Sequence, residues 1–481
     1  MTVLVIDVGT SGVRAAAVGD DARIFHEEHR ALLPSSPAPG LVEFDARAMA
    51  DAALAVARAT IAAVGGVDAV GIANQRSSTI AWSRSTGEPV GPGLGWQDLR
   101  TVEACRRLHA AGLLVSPNST ATKAAWLLER AGARDERDAC VGTVDSWIAW
   151  NLSEGALHVT DASNASSSGL WSAAENDWNG DVLRAVRVPP RVLPEIIDSS
   201  GIVGAATALP GAPPIAGIAG DQQASLAGQG CVAPGAAKIT FGTGGMLDLC
   251  LGAKRPAFDI VGPNGCVPAV AWRQRGVATW MLEGLILAAG SCVEWLRDGL
   301  GFLADTADCH VVAASCASSE GVVFVPALVG LGTPYWDYEA RGTLLGLSRG
   351  TRRAHVVRAV LEGIAQRAAD LVEAAERDSG LAIEALRIDG GMTANPTFVQ
   401  AVADATGRRV DVSSEMEATT LGAAFLAGIA IGVWKSWDDV AAAWSPSRRV
   451  EPAGALDRAR WQEACRRAAK LAGAPPRRGG A

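Results

Sequence analysis

Two α/β domains of related design, meeting at a ligand cleft, are the architecture this sequence predicts. Three observations predict it. A glycine-threonine turn occurs twice, half a chain apart: Ile6-Asp7-Val8-Gly9-Thr10-Ser11-Gly12 and Ile239-Thr240-Phe241-Gly242-Thr243-Gly244-Gly245. Short β-rich runs alternate with helical stretches in both halves, the pattern of α/β folds. At 481 residues the chain exceeds what one hydrophobic core usually serves.

In chain order, Val3–Ile6 and Val13–Val18 read as the strands flanking the first turn. Ala46–Val64 is Ala-rich, with Met49, Ala53, Val56, Ile61 and Val64 near helical spacing. Ala69–Ala73 reads as a buried strand that ends at Asn74-Gln75-Arg76. Lys123–Ala131 and Ser146–Leu152 read as helices, and Ile215–Ala219 as a strand running into Gly220-Asp221-Gln222. A helix over Gln222–Gly228 closes the first half, and the domain boundary is expected near residue 230, giving domains 1–230 and 231–481. The second half opens with strands around Thr240 and Met246–Leu249. It continues with a helix over Leu285–Leu300, the strand Val322–Val325 and a long helix. In that helix Val357, Val360, Leu361, Ile364, Ala368, Leu371 and Val372 share one face, and it should stop near Gly380. The strand Leu386–Ile388 and the helix Pro396–Ala405 follow. The tail from Pro475 is expected to fray.

A net charge of −8 argues against nucleic acid or an anionic membrane surface as main partner. Glycines interrupt the apolar run Leu421–Val433, which is too short to span a bilayer. No leader-like segment precedes Val3, and nine scattered cysteines form no C-x-x-C pair. Reduced thiols and a cytoplasmic location are expected.

The chemistry sits at strand ends. Each turn offers backbone N–H groups that make an anion-binding nest. Asp7 is placed to hold Mg²⁺ directly or through water. Arg14 follows on the returning strand, within reach of a phosphate. Asp221, at a strand-to-helix junction, could take a proton from a substrate hydroxyl, and Asp389-Gly390-Gly391 could let an adenine approach the backbone. Taken singly, each has a plainer reading: Asp221 as a helix cap, Asp389-Gly390-Gly391 as a turn, Arg14 as a surface arginine. Their order along the chain favours a phosphoryl-transfer site.

Several stretches then carry a resemblance. They are Asn74-Gln75-Arg76, Gly142–Asp145, His158–Ser166, Gly217–Gln223, Pro334–Asp337 with Ala340–Gly342, and Gly342–Leu347 continuing through His355-Val356 to Glu362. The chain resembles the FGGY family of carbohydrate kinases, most closely its glycerol-phosphorylating members, in the actin, sugar kinase and Hsp70 superfamily. The resemblance implies two ribonuclease H-like lobes around a central ATP cleft. It implies ATP and Mg²⁺ as cofactors and a primary hydroxyl of glycerol or a similar small polyol as acceptor. Asp221 would be the catalytic base and Asp7 would organise the metal. Thr10, Ser11, Arg14 and Thr243 would hold phosphates, and Gly290, Glu294, Gly391, Met392 and Asn395 would line the nucleotide side. Arg76, Asp221 and Gln222 would bind the acceptor, with Trp96 as an apolar wall. A homodimer follows by analogy alone.

The family pattern is broken at Ser77, where a Glu is usual, at Asn118 for a Tyr and at Met246 for a Phe. Glu294 replaces a Gln on the nucleotide side. Smaller or more flexible side chains at these three acceptor positions predict a roomier pocket. On that ground a C4–C5 polyol or ketopentose is the alternative acceptor, and should outcompete glycerol. A non-catalytic nucleotide-binding module is the alternative from another class.

Overall fold

A computed structural model describes residues 1–130 and 137–470. Its centre is a 13-stranded sheet to which both halves contribute. In chain order the strands are β1 (Thr2–Val8), β2 (Gly12–Gly19), β3 (Ile24–Ala31), β4 (Ala69–Asn74), β5 (Ser200–Ala205) and β6 (Pro214–Gly220). Then come β7 (Ala237–Phe241), β8 (Gly245–Gly252), β9 (Val267–Gln274), β10 (Val277–Ile286), β11 (Ala385–Asp389), β12 (Arg409–Ser413) and β13 (Pro446–Val450). Their spatial order is β13-β12-β11-β7-β8-β10-β9-β5-β6-β4-β1-β2-β3. One bridge, Ser200 to Gln274, joins β5 to β9 and so connects the two halves of the sheet. Both glycine-threonine turns are hairpin tips, with Val8 opposite Val13 in one and Phe241 opposite Gly245 in the other.

Helices cover both faces. The ones that bear on the site are α1 (Ala46–Val64), α2 (Asp221–Gly228), α3 (Gly290–Asp298), α4 (Arg353–Ser379), α5 (Pro396–Thr406) and α6 (Ala418–Ile431). The Asp45 side chain caps α1 by accepting from Ala48 N at 3.0 Å. Strand alternation divides β1 between two cores. Leu4, Ile6 and Val8 pack with α1 residues Met49, Ala53 and Val56, while Val3 and Val5 pack with Leu421 and Phe425 of α6. A helix from late in the chain is thus built into the core of the first half. The approach of α6 to α2 requires two glycines. A Cβ on Gly228 would lie 1.8 Å from Ala418 O, and one on Gly422 would lie 1.7 Å from Ala224 O.

The long helix α4 ends as expected at Gly380, in the left-handed region at φ 73°. The helix expected over Leu285–Leu300 is shorter. Leu285 and Ile286 belong to β10, paired with Met246 and Gly245, because those backbone groups complete the sheet ladder. The helix begins at Gly290, whose N–H is held by Gly242 O at 2.9 Å. The expected fraying from Pro475, and Ala131 at the end of a predicted helix, lie outside the described residues. No helix among the described residues is long and apolar enough to cross a membrane.

Candidate active site

Three parallel strands end side by side. Val8 of β1 lies opposite Asn74 of β4, and Asn74 lies opposite Gly220 of β6. This register brings Asp7, Gln75-Arg76 and Asp221 to one edge, the carboxyl edge where open α/β sheets hold ligands. Gln75 locks the first turn from below: its Nε2 donates to Gly9 O at 3.1 Å and its Oε1 accepts from Ser78 Oγ at 3.0 Å.

Asp221 is the first residue of α2, with Gly220 at the cap position. Its Oδ1 accepts from Gln222 N at 2.8 Å and lies 3.4 Å from Arg76 Nε. Burial raises its pKa, against the lowering pull of Arg76. Asp7 is close enough to feel Asp221. Burial, and then the Asp221 charge, lift Asp7 to about 7, with Arg14 opposing. Two carboxylates at one strand edge are therefore under-compensated by cations, as at many sites that bind a metal or polyphosphate.

The wall beside them is a connected unit. Trp96 Nε1 donates to Thr10 Oγ1 at 3.1 Å, which ties the wall to the first turn. The Trp96 carbonyl accepts from Asn118 Nδ2 and from Lys123 Nζ, both at 3.0 Å. Lys123 is fully buried, and its burial pulls the ammonium pKa down to about 7. Ser77 has a left-handed backbone at φ 62° and its hydroxyl donates to Ser167 O at 2.9 Å. Both polar departures from the family pattern thus donate to backbone carbonyls, Ser77 half-buried and Asn118 exposed. Met246 sits on β8 opposite Thr240, half-buried behind the second turn.

On the other side, Thr243 O accepts from Ala289 N at 2.8 Å and from Ser291 Oγ at 3.1 Å, so the second turn is docked on the start of α3. Gly390 adopts φ 90°, and a Cβ there would lie 2.4 Å from Phe241 O. Only glycine permits both the conformation and this approach. Gly391 and Met392 follow in a 3₁₀ turn, and Asn395 caps α5 by accepting from Phe398 N at 3.1 Å. The start of this loop at Gly390 thus lies against Phe241, the residue before the second turn.

Three expected residues have other partners or face solvent, Arg14 while lying opposite Asp7 in the β1–β2 ladder. Arg14 is paired with Glu417, the residue before α6, and lies 3.9 Å from Glu27. The Ser11 side chain is exposed, with its carbonyl accepting from Leu32 N at 2.9 Å. Glu294 is exposed on α3.

Three charged residues that sequence reading passed over belong to the site. Glu283 Oε2 lies 2.7 Å from Arg76 Nη2. Lys238 Nζ lies 2.8 Å from Asp248 Oδ2 and donates to Gln222 Oε1 at 2.8 Å and Thr240 Oγ1 at 2.9 Å. Each interrupts an apolar strand (Ala237-Lys238-Ile239, Leu247-Asp248-Leu249, Leu282-Glu283-Gly284), and that interruption was the available signal.

Known proteins match this organisation half by half. The N-terminal domain of the FGGY family of carbohydrate kinases matches residues 2–228, and the C-terminal domain of the same family matches 237–431. The glycerol kinase of Aromatoleum aromaticum is 44% identical over 491 residues, covering 97% of this chain and 98% of that protein. That of Deinococcus radiodurans is 40% identical over 470 residues, covering 94% and 93%. Among solved structures, Plasmodium falciparum glycerol kinase with ADP superposes with a TM-score of 0.91 at 28% identity, covering 98% of each chain. A xylulose kinase from Rhodospirillum rubrum reaches a TM-score of 0.84 at 24% identity, again covering 98% of each, and shares the fold. With both halves matched in order by one family, and relatives that span nearly the whole chain, this protein belongs to the FGGY family of carbohydrate kinases, phosphotransferases with an alcohol group as acceptor.

Proposed function

We propose that this kinase transfers the γ-phosphoryl group of ATP to a primary hydroxyl of glycerol or a similar small polyol. The observation that carries the reading is the Asp221 carboxylate at the carboxyl end of β6, 3.4 Å from Arg76 and beside Gln222. The glycerol kinase relatives at 40–44% identity support the acceptor, and the ADP complex of a structural neighbour supports the nucleotide.

The residues divide the work by position. Arg76 and Gln222 hold acceptor hydroxyls, with Trp96 behind them. Asp221 takes the proton of the reacting hydroxyl as its oxygen attacks the γ-phosphorus, and burial that raises its pKa makes it a better base. The N–H groups of the Gly9–Gly12 and Gly242–Gly245 turns, with Thr10 and Thr243, hold the phosphates in line. The Gly391–Asn395 loop and Gly290 take the nucleoside side, and Arg14 reaches the phosphates on release from Glu417. The chain passes from the first lobe to the second near residue 230, and α6 returns to pack on the first.

Asp7 and Asp221 fit a divalent cation. Hard carboxylate oxygens suit Mg²⁺, and mutual repulsion leaves this pair short of positive charge. Among the described residues no cluster of three acidic, His or Cys side chains could hold a metal, so Asp7 and Asp221 would hold it together with ligands from outside the protein. When bound, Mg²⁺ supplies charge neutralisation at the transferred phosphoryl group.

A ketopentose or C4–C5 polyol is the less supported acceptor, since the relatives at 40–44% identity are glycerol kinases. The Ser77 hydroxyl donates its one proton to Ser167 O, and the Asn118 amide, which has two N–H donors, commits one of them to Trp96 O. The test is acceptor-stimulated ADP release across glycerol, erythritol, xylitol, xylulose and ribulose. Glycerol should give the highest kcat/KM. A ketopentose or longer polyol in first place would overturn the acceptor, and no stimulation by any of them would overturn the reading.

A further inference from the structure

The two side chains that face the acceptor in this reading, Arg76 and Gln222, are each held by a charge from the second half of the chain. Glu283 of β10 lies 2.7 Å from Arg76 Nη2, and Asp221 lies 3.4 Å from Nε of the same guanidinium. Carboxylates against two nitrogens of a planar cation restrict how it can turn. Lys238 of β7 donates to Gln222 Oε1 at 2.8 Å. An ammonium has donors only, so the atom of Gln222 that faces it is the amide oxygen. That leaves the Gln222 NH₂ as the end available to substrate.

The support behind these contacts is built for rigidity. Lys238 and Asp248 are fully buried and paired at 2.8 Å, and Asp248 lies directly opposite Glu283 in the β8–β10 ladder. Thr240 Oγ1 takes another Lys238 hydrogen bond at 2.9 Å. Buried charges are retained at such cost only where they are paired, and here the chain of pairs ends on the two acceptor-binding side chains.

We propose that Glu283 and Lys238 are positioning residues for the acceptor: Glu283 locks the Arg76 guanidinium, and Lys238 fixes Gln222 as a hydrogen-bond donor. The consequence is a pocket that offers donors from Arg76 and Gln222 and an acceptor from Asp221. A hydroxyl bound there keeps its oxygen lone pairs on the donors and points its proton at Asp221. This inference rests on the assignment of Arg76 and Gln222 to the acceptor.

The test uses the full-length enzyme with glycerol and ATP. Glu283→Gln and Lys238→Met should each raise the glycerol KM by roughly 10-fold or more, the order expected for losing a hydrogen bond to a charged group, with the ATP KM within about 2-fold of wild type. Glu283→Asp keeps the charge, so it should recover part of the loss and also guards against a variant that fails to fold. In an Arg76→Lys background, Glu283→Gln should add little, because its effect passes through Arg76. Full additivity in that background, or equal loss of ATP and glycerol affinity, overturns the proposal. If Arg76→Lys itself leaves the glycerol KM unchanged, the acceptor assignment fails first. If Arg76→Lys raises it and Glu283→Gln does not, only the positioning role fails.

Discussion

Replacing Gly422 by alanine should disable the enzyme from outside the pocket. Gly422 lies in α6, where it meets α2 backbone to backbone. An added Cβ would stand 1.7 Å from Ala224 O and 2.5 Å from Ala224 C, against a floor near 3.0 Å for real Cβ contacts. The obstacle is backbone, so no side-chain rotation relieves it. The helices must part by about an ångström or more. Ala224 is in the first turn of α2, three residues after Asp221, so the base moves with the helix. A misplacement of about 1 Å can cost on the order of 100-fold in rate, and overpacking a core costs about 1–3 kcal/mol, occasionally more. Gly422→Ala should therefore lower kcat by roughly 100-fold and reduce the denaturation midpoint, read by ADP release and urea unfolding. Gly350→Ala, where the nearest atom would be 3.7 Å from the new Cβ, is the control and should leave both unchanged. A Gly422→Ala enzyme with kcat within about 3-fold of wild type and an unchanged midpoint would refute the link between this contact and the base.

Asp221→Asn should lower kcat by about 10²–10⁴-fold with ATP affinity nearly unchanged, the usual worth of general base catalysis; a variant that kept more than roughly a tenth of the rate would exclude Asp221 as base. Asp7→Asn should raise the Mg²⁺ concentration needed for half-maximal activity, because one of two carboxylates at the strand edge is neutralised; identical Mg²⁺ titrations would remove Asp7 from the metal site. Asp145, buried beside Asp161, is raised from 3.8 to about 6, by burial first and then by the Asp161 charge. A folded pKa above the unfolded one means its contribution is complete below about 3.8 and lost as pH rises through about 6. Asp145→Asn removes that titration. Its stability relative to wild type should thus climb by roughly 3 kcal/mol between pH 3.5 and 7 in urea unfolding, and a constant difference across that range would count against it.

Local signals were legible in the sequence because they are written in contiguous residues. Short apolar or β-rich runs marked β1, β4, β6 and β7, 3.6-residue spacing marked α1 and α4, and paired glycines marked both turns. Asp221 was readable because a carboxylate after a buried strand and before a helix lands at a strand edge whatever the rest of the chain does. The end of β10 was not readable, since Leu285 and Ile286 fit a helix or a strand equally well until Met246 and Gly245 supply the ladder. Tertiary structure alone decided what the charges meant. Lys238, Asp248 and Glu283 interrupt apolar strands that are distant in the chain, and only sheet register sets Asp248 opposite Glu283 and aims Lys238 at Gln222. It also decided that the Ser77 hydroxyl and one amide hydrogen of Asn118, polar in the sequence, go to Ser167 O and Trp96 O. A residue's periodicity is a property of its neighbours in the chain, but the partner of a hydrogen bond or an ion pair is chosen by long-range packing.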